Sequence, residues 1–236
     1  MNGPPPIALA IEAQPDSSTC GPTCLHAVYR HFGDAIELGT VVDEIQRLDD
    51  GGTLDVFLAN HALARGYRAT IHSWNLEVFD PTWFDTPGTD LSAKLAAQER
   101  SKRRAKLSVA TAGYLAFLSG GGRVRFDDLN RGLLRRLLAR GLPVLTGLSA
   151  TYLYRSMREW GAKDEGDDIR GEPVGHFVVL SGYDKSSRMV MVADPMHPNP
   201  RGGQVYAVHI DRVIAAILLG ALTYDANLLV IRPCAS

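Results

Sequence analysis

Residues 176–195 read HFVVLSGYDKSSRMVMVADP. Two apolar runs, 176–183 and 188–195, flank the turn residues Asp184–Ser187. That is the pattern of a β-hairpin. The first run is so continuous that both of its faces must be buried. It opens on a histidine, His176, and the second run closes on Asp194 and Pro195. With the loop centred on Lys185, His176 lies directly opposite Asp194, where Cβ atoms are about 4.5–5.5 Å apart. In that register the aspartate accepts the imidazole Nδ1–H and fixes its tautomer. A slip of one residue would put the two on opposite faces of the sheet.

Outward from the hairpin the pattern stays strand-like. A loop at 197–203 leads to a strand at 204–210, an apolar helix at 210–222 and a last strand at 226–231. Upstream, PVLTGL (143–148) reads as a buried strand. Before it, Leu129, Leu133, Leu134, Leu137 and Leu138 mark an amphipathic helix over 127–140, closed by Gly141. The first third is mostly helical, with helices expected at 21–32, 40–48 and 54–65. The second of these is followed by the break Asp49–Gly52. A short strand is expected at 7–13 after Pro4–Pro6, and another at 67–74. Helices first and an antiparallel sheet last define an α+β fold.

A second stretch carries reactive chemistry. Residues 14–25 read QPDSSTCGPTCL. Gly21 and Pro22 place Cys20 at the N-terminus of the first helix, where free amides and the helix dipole stabilise a thiolate. A thiolate nucleophile needs a base, and the base needs a group to orient it. Of the seven histidines, His176 is the one placed for this, with Asp194 as its partner. Gln14 can bring its amide beside the sulfur and, with the Cys20 N–H, hold an oxyanion. Cys24 lies one helical turn on and is expected to face the core. Gly175 and Tyr152 are candidates for contact with substrate. The chemistry requires no metal and no organic cofactor.

The bulk numbers narrow the setting. A chain of 236 residues is long for one domain and short for two, so a single domain over 1–236 is expected, with an insertion at about 75–125. It is 45% hydrophobic and 22% charged, the balance of a soluble globular protein. The net charge of −1 gives no global field for nucleic acid or an anionic membrane. Three cysteines fit a reducing compartment rather than a disulfide framework. No signal peptide is recognisable, and the apolar run 213–222 is too short to span a bilayer. A cytoplasmic location is therefore expected. The basic cluster at 100–104 reads as a solvated helix face.

The order Gln-x5-Cys-Gly-Pro-x-Cys-Leu, then Gly-His-Phe-Val-Val-Leu, then Ala-Asp-Pro resembles the bacteriocin-processing peptidases that cut after double-glycine leaders. More broadly it resembles the papain-like cysteine peptidases. The resemblance covers about residues 8–50 and 130–232. It implies Cys20 as nucleophile, His176 as general base, Asp194 as orienting acid and Gln14 as oxyanion residue. It implies a papain-like fold and a peptide or small amide substrate. Thr19 stands where that family usually has Asp, and the usual transporter helices have no counterpart here. The chain thus resembles a free-standing relative, of the kind that accompanies ATP-grasp amide ligases. Three functions follow from the site: a thiol hydrolase acting through an acyl-enzyme, an acyl or peptidyl transferase on the same thioester chemistry, and a catalytically inactive peptide-binding module.

Overall fold

The computed structural model describes residues 7–48 and 51–234. The prolines at 4–6 and the expected break at Asp49–Asp50 lie outside them. The first helix, α1, runs Cys20–His31, followed by α2 (Leu38–Glu44), α3 (Asp55–Ala64) and strand β1 (Tyr67–Ser73). Next come α4 (Thr82–Asp85), α5 (Leu91–Lys102), α6 (Ala105–Ser119), β2 (Arg123–Arg125), α7 (Arg131–Leu138), β3 (Val144–Ser149) and α8 (Ala150–Tyr154). Two short strands, β4 (Glu159–Trp160) and β5 (Glu165–Gly166), pair within the polar segment before the hairpin. The hairpin is β6 (Gly175–Asp184) and β7 (Met189–Ala193), followed by β8 (Val205–His209), α9 (Ile210–Leu219) and β9 (Asn227–Pro233).

Seven strands form one sheet in the order β2-β1-β9-β3-β6-β7-β8. All its pairs are antiparallel except β1–β2. The alternation of strand side chains divides the apolar residues between two layers. Phe177, Val179, Leu145, Leu229 and Ala193 face a cluster built with α1, α3, α5 and α6. Val178, Leu180, Val192, Val144 and Leu228 face a second cluster built with α7 and α9. The β6 run is continuous because both of its faces are covered. The architecture is α+β and papain-like, as expected.

Several boundaries differ from the sequence reading. Residues 7–13 form no strand. Ile7 N donates to Ser181 O at 2.8 Å and Gln14 N to Pro195 O at 2.9 Å, with irregular backbone between. The Thr53 hydroxyl donates to Gln46 O, and Leu54 occupies the N-cap position of α3. Within the expected insertion, α5 and α6 are separated where Arg103 adopts φ 48°. The hairpin register is also shifted. Val179 pairs with Ala193 and Leu180 with Val192, and a bulge follows at Ser181. Extended along the strands, that register does not set His176 opposite Asp194, and the two are diagonal neighbours. The shift is by two positions, so both side chains stay on one face.

Residues 75–125 are built into the first layer. Leu95, Leu107, Tyr114 and Phe117 are buried there, and Phe117 is 0% exposed. Phe117→Ala should therefore destabilise the whole protein by about 3–5 kcal/mol, measured as a lowered midpoint in urea. A change below about 1 kcal/mol would show that this segment is a detachable ornament.

Candidate active site

The site sits at one end of the central strands, where α1 begins and β6 starts. Cys20 is the first residue of α1, and its backbone N–H belongs to the turn whose amides have no intrahelical acceptor. Pro22 falls at the third position rather than the first, still within the turn that tolerates it. Gly21 allows the helix to start this deep. A Cβ there would lie 2.7 Å from Thr53 Cγ2 and 3.3 Å from the Phe177 ring.

The loop before Cys20 is braced by one aspartate. Asp16 Oδ1 accepts from Ser18 N at 2.8 Å and from the Ser18 hydroxyl at 2.7 Å. Asp16 O accepts from the Thr19 hydroxyl at 3.0 Å and from Gln14 Nε2 at 2.7 Å. The serine hydroxyl holds the Asp16 carboxyl below the usual carboxylate range, against the pull of burial. Gln14 is thus fixed through one of its two amide hydrogens.

His176 and Asp194 meet in the interior. Their side chains are 3% and 0% exposed, and His176 Nε2 stands 2.8 Å from Asp194 Oδ1. The nitrogen is Nε2, not the Nδ1 expected from direct cross-strand pairing. Nδ1 is thereby left for Cys20, whose side chain hydrogen-bonds the same ring. Burial alone would lower the imidazole pKa. The bonds to Asp194 and Cys20 outweigh it and raise the value to about 10. Burial likewise pushes the Asp194 carboxyl up, and His176, Tyr206 and Tyr154 together bring it below the ordinary value.

Asp194 has four donors. Oδ1 also accepts from Met196 N at 2.9 Å, and Oδ2 accepts from Tyr154 OH at 2.7 Å and Tyr206 OH at 2.5 Å. Burial and the adjacent carboxylate raise both phenols above their ordinary pKa, so they remain donors. The sequence reading gave neither tyrosine a bond to Asp194. The signal for Tyr206 was its place on β8: it pairs with Val192, two residues from Asp194.

Cys20 and His176 open into a cleft of about 850 Å³, and Gln14 and Gly175 lie on its lining. Gly175 has no room for a side chain, since a Cβ would lie 2.1 Å from Asp225 Oδ2. Asp225 was missed from the sequence. It borders the cleft, burial raises its pKa to about 7, and the Thr223 hydroxyl partly offsets that. Glu159, Asp164 and Glu172 of the polar segment also reach the cleft, as do Lys106 and His197. Tyr152 is 43% exposed on α8 and does not line it. Cys24 is buried and donates its thiol to Phe177 O at 3.2 Å, as its core-facing position required.

Residues 131–212, which carry His176 and Asp194, match the model of the Peptidase_C39 like family. A C39-like peptidase from Bacillus anthracis is 13% identical, covers 100% of both chains and superposes with a TM-score of 0.53. A double glycine motif protease from an AMS/PCAT transporter, crystallised with its leader peptide, is 11% identical over 99% of each chain at a TM-score of 0.48. The peptidase domain of Streptococcus ComA, a bi-functional ABC transporter, is 13% identical over 95% of this chain and 98% of its own at 0.43. No curated protein matches the sequence. The resemblance to C39-like peptidases read from the motifs therefore holds, on the family match at 131–212 and on the fold. Among the described residues no helix is long and apolar enough to cross a membrane.

The charged pair makes stability depend on pH. His176 has a higher pKa folded than unfolded, so its contribution is fully present below about 6.5 and is lost as pH rises through about 10. Asp194 is shifted down, so its contribution is present above its ordinary value of 3.8 and is lost in acid. In urea unfolding, the stability gap between wild type and His176→Gln should be widest near pH 6 and close towards pH 10. A gap independent of pH over that range would mean the pair is not charged.

Proposed function

We propose that the protein is a cysteine peptidase that forms an acyl-enzyme on Cys20. The observation that carries this reading is the buried His176–Asp194 pair, with the Cys20 side chain hydrogen-bonded to the same imidazole at a helix N-terminus. The Cys20 thiolate attacks the substrate carbonyl carbon. The oxyanion is held by the Cys20 N–H and by the second amide hydrogen of Gln14, whose first is committed to Asp16 O. His176 gives its proton to the leaving amine, then takes one from the water that hydrolyses the thioester. Asp194 keeps the ring in the tautomer and orientation that both transfers need.

The cleft suits a peptide strand bearing basic side chains. Glu159, Asp164, Glu172 and Asp16 border it against a single lysine, Lys106. Location in the cytoplasm agrees with thiols that are all free, though the reading does not rest on it.

The test is iodoacetamide alkylation followed by pH at each cysteine, read by peptide mass spectrometry. Cys24, buried, and Cys234, exposed, are the internal references. Cys20 should react fast well below the ordinary thiol value of about 8.5, and His176→Ala should remove that advantage. On a peptide library, Cys20→Ala should abolish turnover. His176→Ala should cost about 10²–10⁴-fold, and Asp194→Ala less. A Cys20 that titrates like Cys234 would sink the peptidase reading in favour of a peptide-binding module. Products that retain an added amine in place of water would move it to a transferase.

A further inference from the structure

A second concave site lies away from the Cys20 cleft and shares no lining residue with it. Helix α7 packs on the sheet at β6, and a gap is left between it and the face carried by β1, β2 and the end of β9. The gap is a cavity of about 690 Å³, within the usual range for small-ligand sites. Six arginines border it: Arg68 on β1, Arg123 and Arg125 on β2, Arg232 on β9, Arg136 on α7 and Arg140 just past the end of α7. The chain as a whole carries a net charge of only −1, so this is a local concentration.

The arginines are not there to satisfy carboxylates. Asp127 is the one acidic residue on the lining, and it is occupied. Arg125 holds it through Nε at 2.8 Å and a second guanidinium nitrogen at 2.9 Å, and His72 Nδ1 stands 3.0 Å away. Among the described residues, the other five arginines have no ion-pair partner.

Like charges are also set against one another. Arg68 pairs directly with Arg232 across β1 and β9, and like charges directly opposite are destabilising. Arg136 on α7 and Arg140 just after it add two more positive charges on the facing wall. His72, on the same face of β1, has its pKa lowered by burial first, and the Arg125 and Arg140 charges add to that against the pull of Asp127. The arrangement costs stability unless an anion occupies it.

The geometry points to a binding site for a compact polyphosphate, a small ligand bearing adjacent phosphate groups. Guanidinium forks match phosphate oxygens in a bidentate manner. Here the forks approach from two walls, the sheet edge and α7. An extended acidic peptide turns alternate side chains to opposite sides, so it would present only part of its charge to each wall. A polyphosphate carries charge all round its axis and meets both. Leu133, Leu137 and Val230 supply the bulky apolar part of the lining; among the described residues no Phe, Tyr or Trp borders it for a base to stack on, and the His72 ring is engaged with Asp127. The recognised part is therefore the phosphate chain.

Inorganic tripolyphosphate is the first probe, measured by titration calorimetry and thermal shift on the full chain. It should bind and raise the melting temperature. Arg136→Gln/Arg232→Gln should weaken it by at least about tenfold per arginine removed. Without ligand, the same variant should melt no lower than wild type, because it relieves repulsion. Arg100→Gln/Arg103→Gln, in the solvated cluster around α5, should bind like wild type. ATP binding as tightly as tripolyphosphate would identify a nucleoside polyphosphate as an occupant, and much weaker ATP binding would identify the inorganic chain. Both outcomes support the site. The proposal is overturned if tripolyphosphate fails to bind, or if the Arg136/Arg232 variant binds it unchanged. Tighter binding of a polyglutamate peptide or duplex DNA would also overturn it. If the double variant does not fold, calorimetry on Arg136→Gln alone decides by the same criterion.

Discussion

A carboxylate that is 0% exposed cannot stay charged unless every lone pair facing the interior is met. Asp194 meets that condition with four donors from four places: His176 on β6, the Met196 amide after β7, Tyr154 on α8 and Tyr206 on β8. Removing one partner from a buried charge typically costs about 3–5 kcal/mol, which makes this group a constraint on folding in its own right. The hairpin, the strand after it and the short helix before it must all be in place before the imidazole has a fixed orientation. The cleft, the helix N-terminus and the thiol are arranged around that fixed ring.

The hairpin was legible because its chemistry is local. A long apolar run, a turn and a second run leave few pairings, and the histidine and aspartate bracket them. The exact register was not legible. A bulge at Ser181 changes how many residues each strand contributes, and the one local sign of it, Gly182 inside the strand, signals a bulge without fixing the register. The error was by an even number of positions, so the face was right and the ring nitrogen wrong. Tyr206 and Asp225 escaped for a different reason. Only the folded sheet brings Tyr206 onto Asp194 and Asp225 against Gly175, and a tyrosine in a strand or an aspartate before one has an ordinary role by default. The strand at 7–13 was an apolar pattern without a ladder, held by single backbone bonds at its ends.

The sheet also explains how one small chain carries two unlike concavities. Both faces of β3, β6 and β9 are packed, so they bury apolar side chains alternately to either layer. At the strand ends the layers part, and the Cys20 cleft forms there. At the β1–β2 edge the face that carries the second cluster opens into a cavity, and the side chains presented there include arginine and histidine. The same alternation, continued past the end of its cover, changes from core to charged surface.

The segment between Ile7 and Gln14 is tied at one end to the bulge carbonyl of Ser181 and at the other to Pro195. Gln14 is therefore positioned by the hairpin that carries His176, although the two are far apart along the chain. A polypeptide emerging from the ribosome offers Cys20 first, then waits for His176, Asp194 and Tyr206. Until those residues are out, Cys20 has no imidazole beside it, Gln14 has no Pro195 carbonyl to hold it and the cleft lacks the wall that β6 supplies. Chain order alone delays the assembly of this cluster until most of the polypeptide has been made.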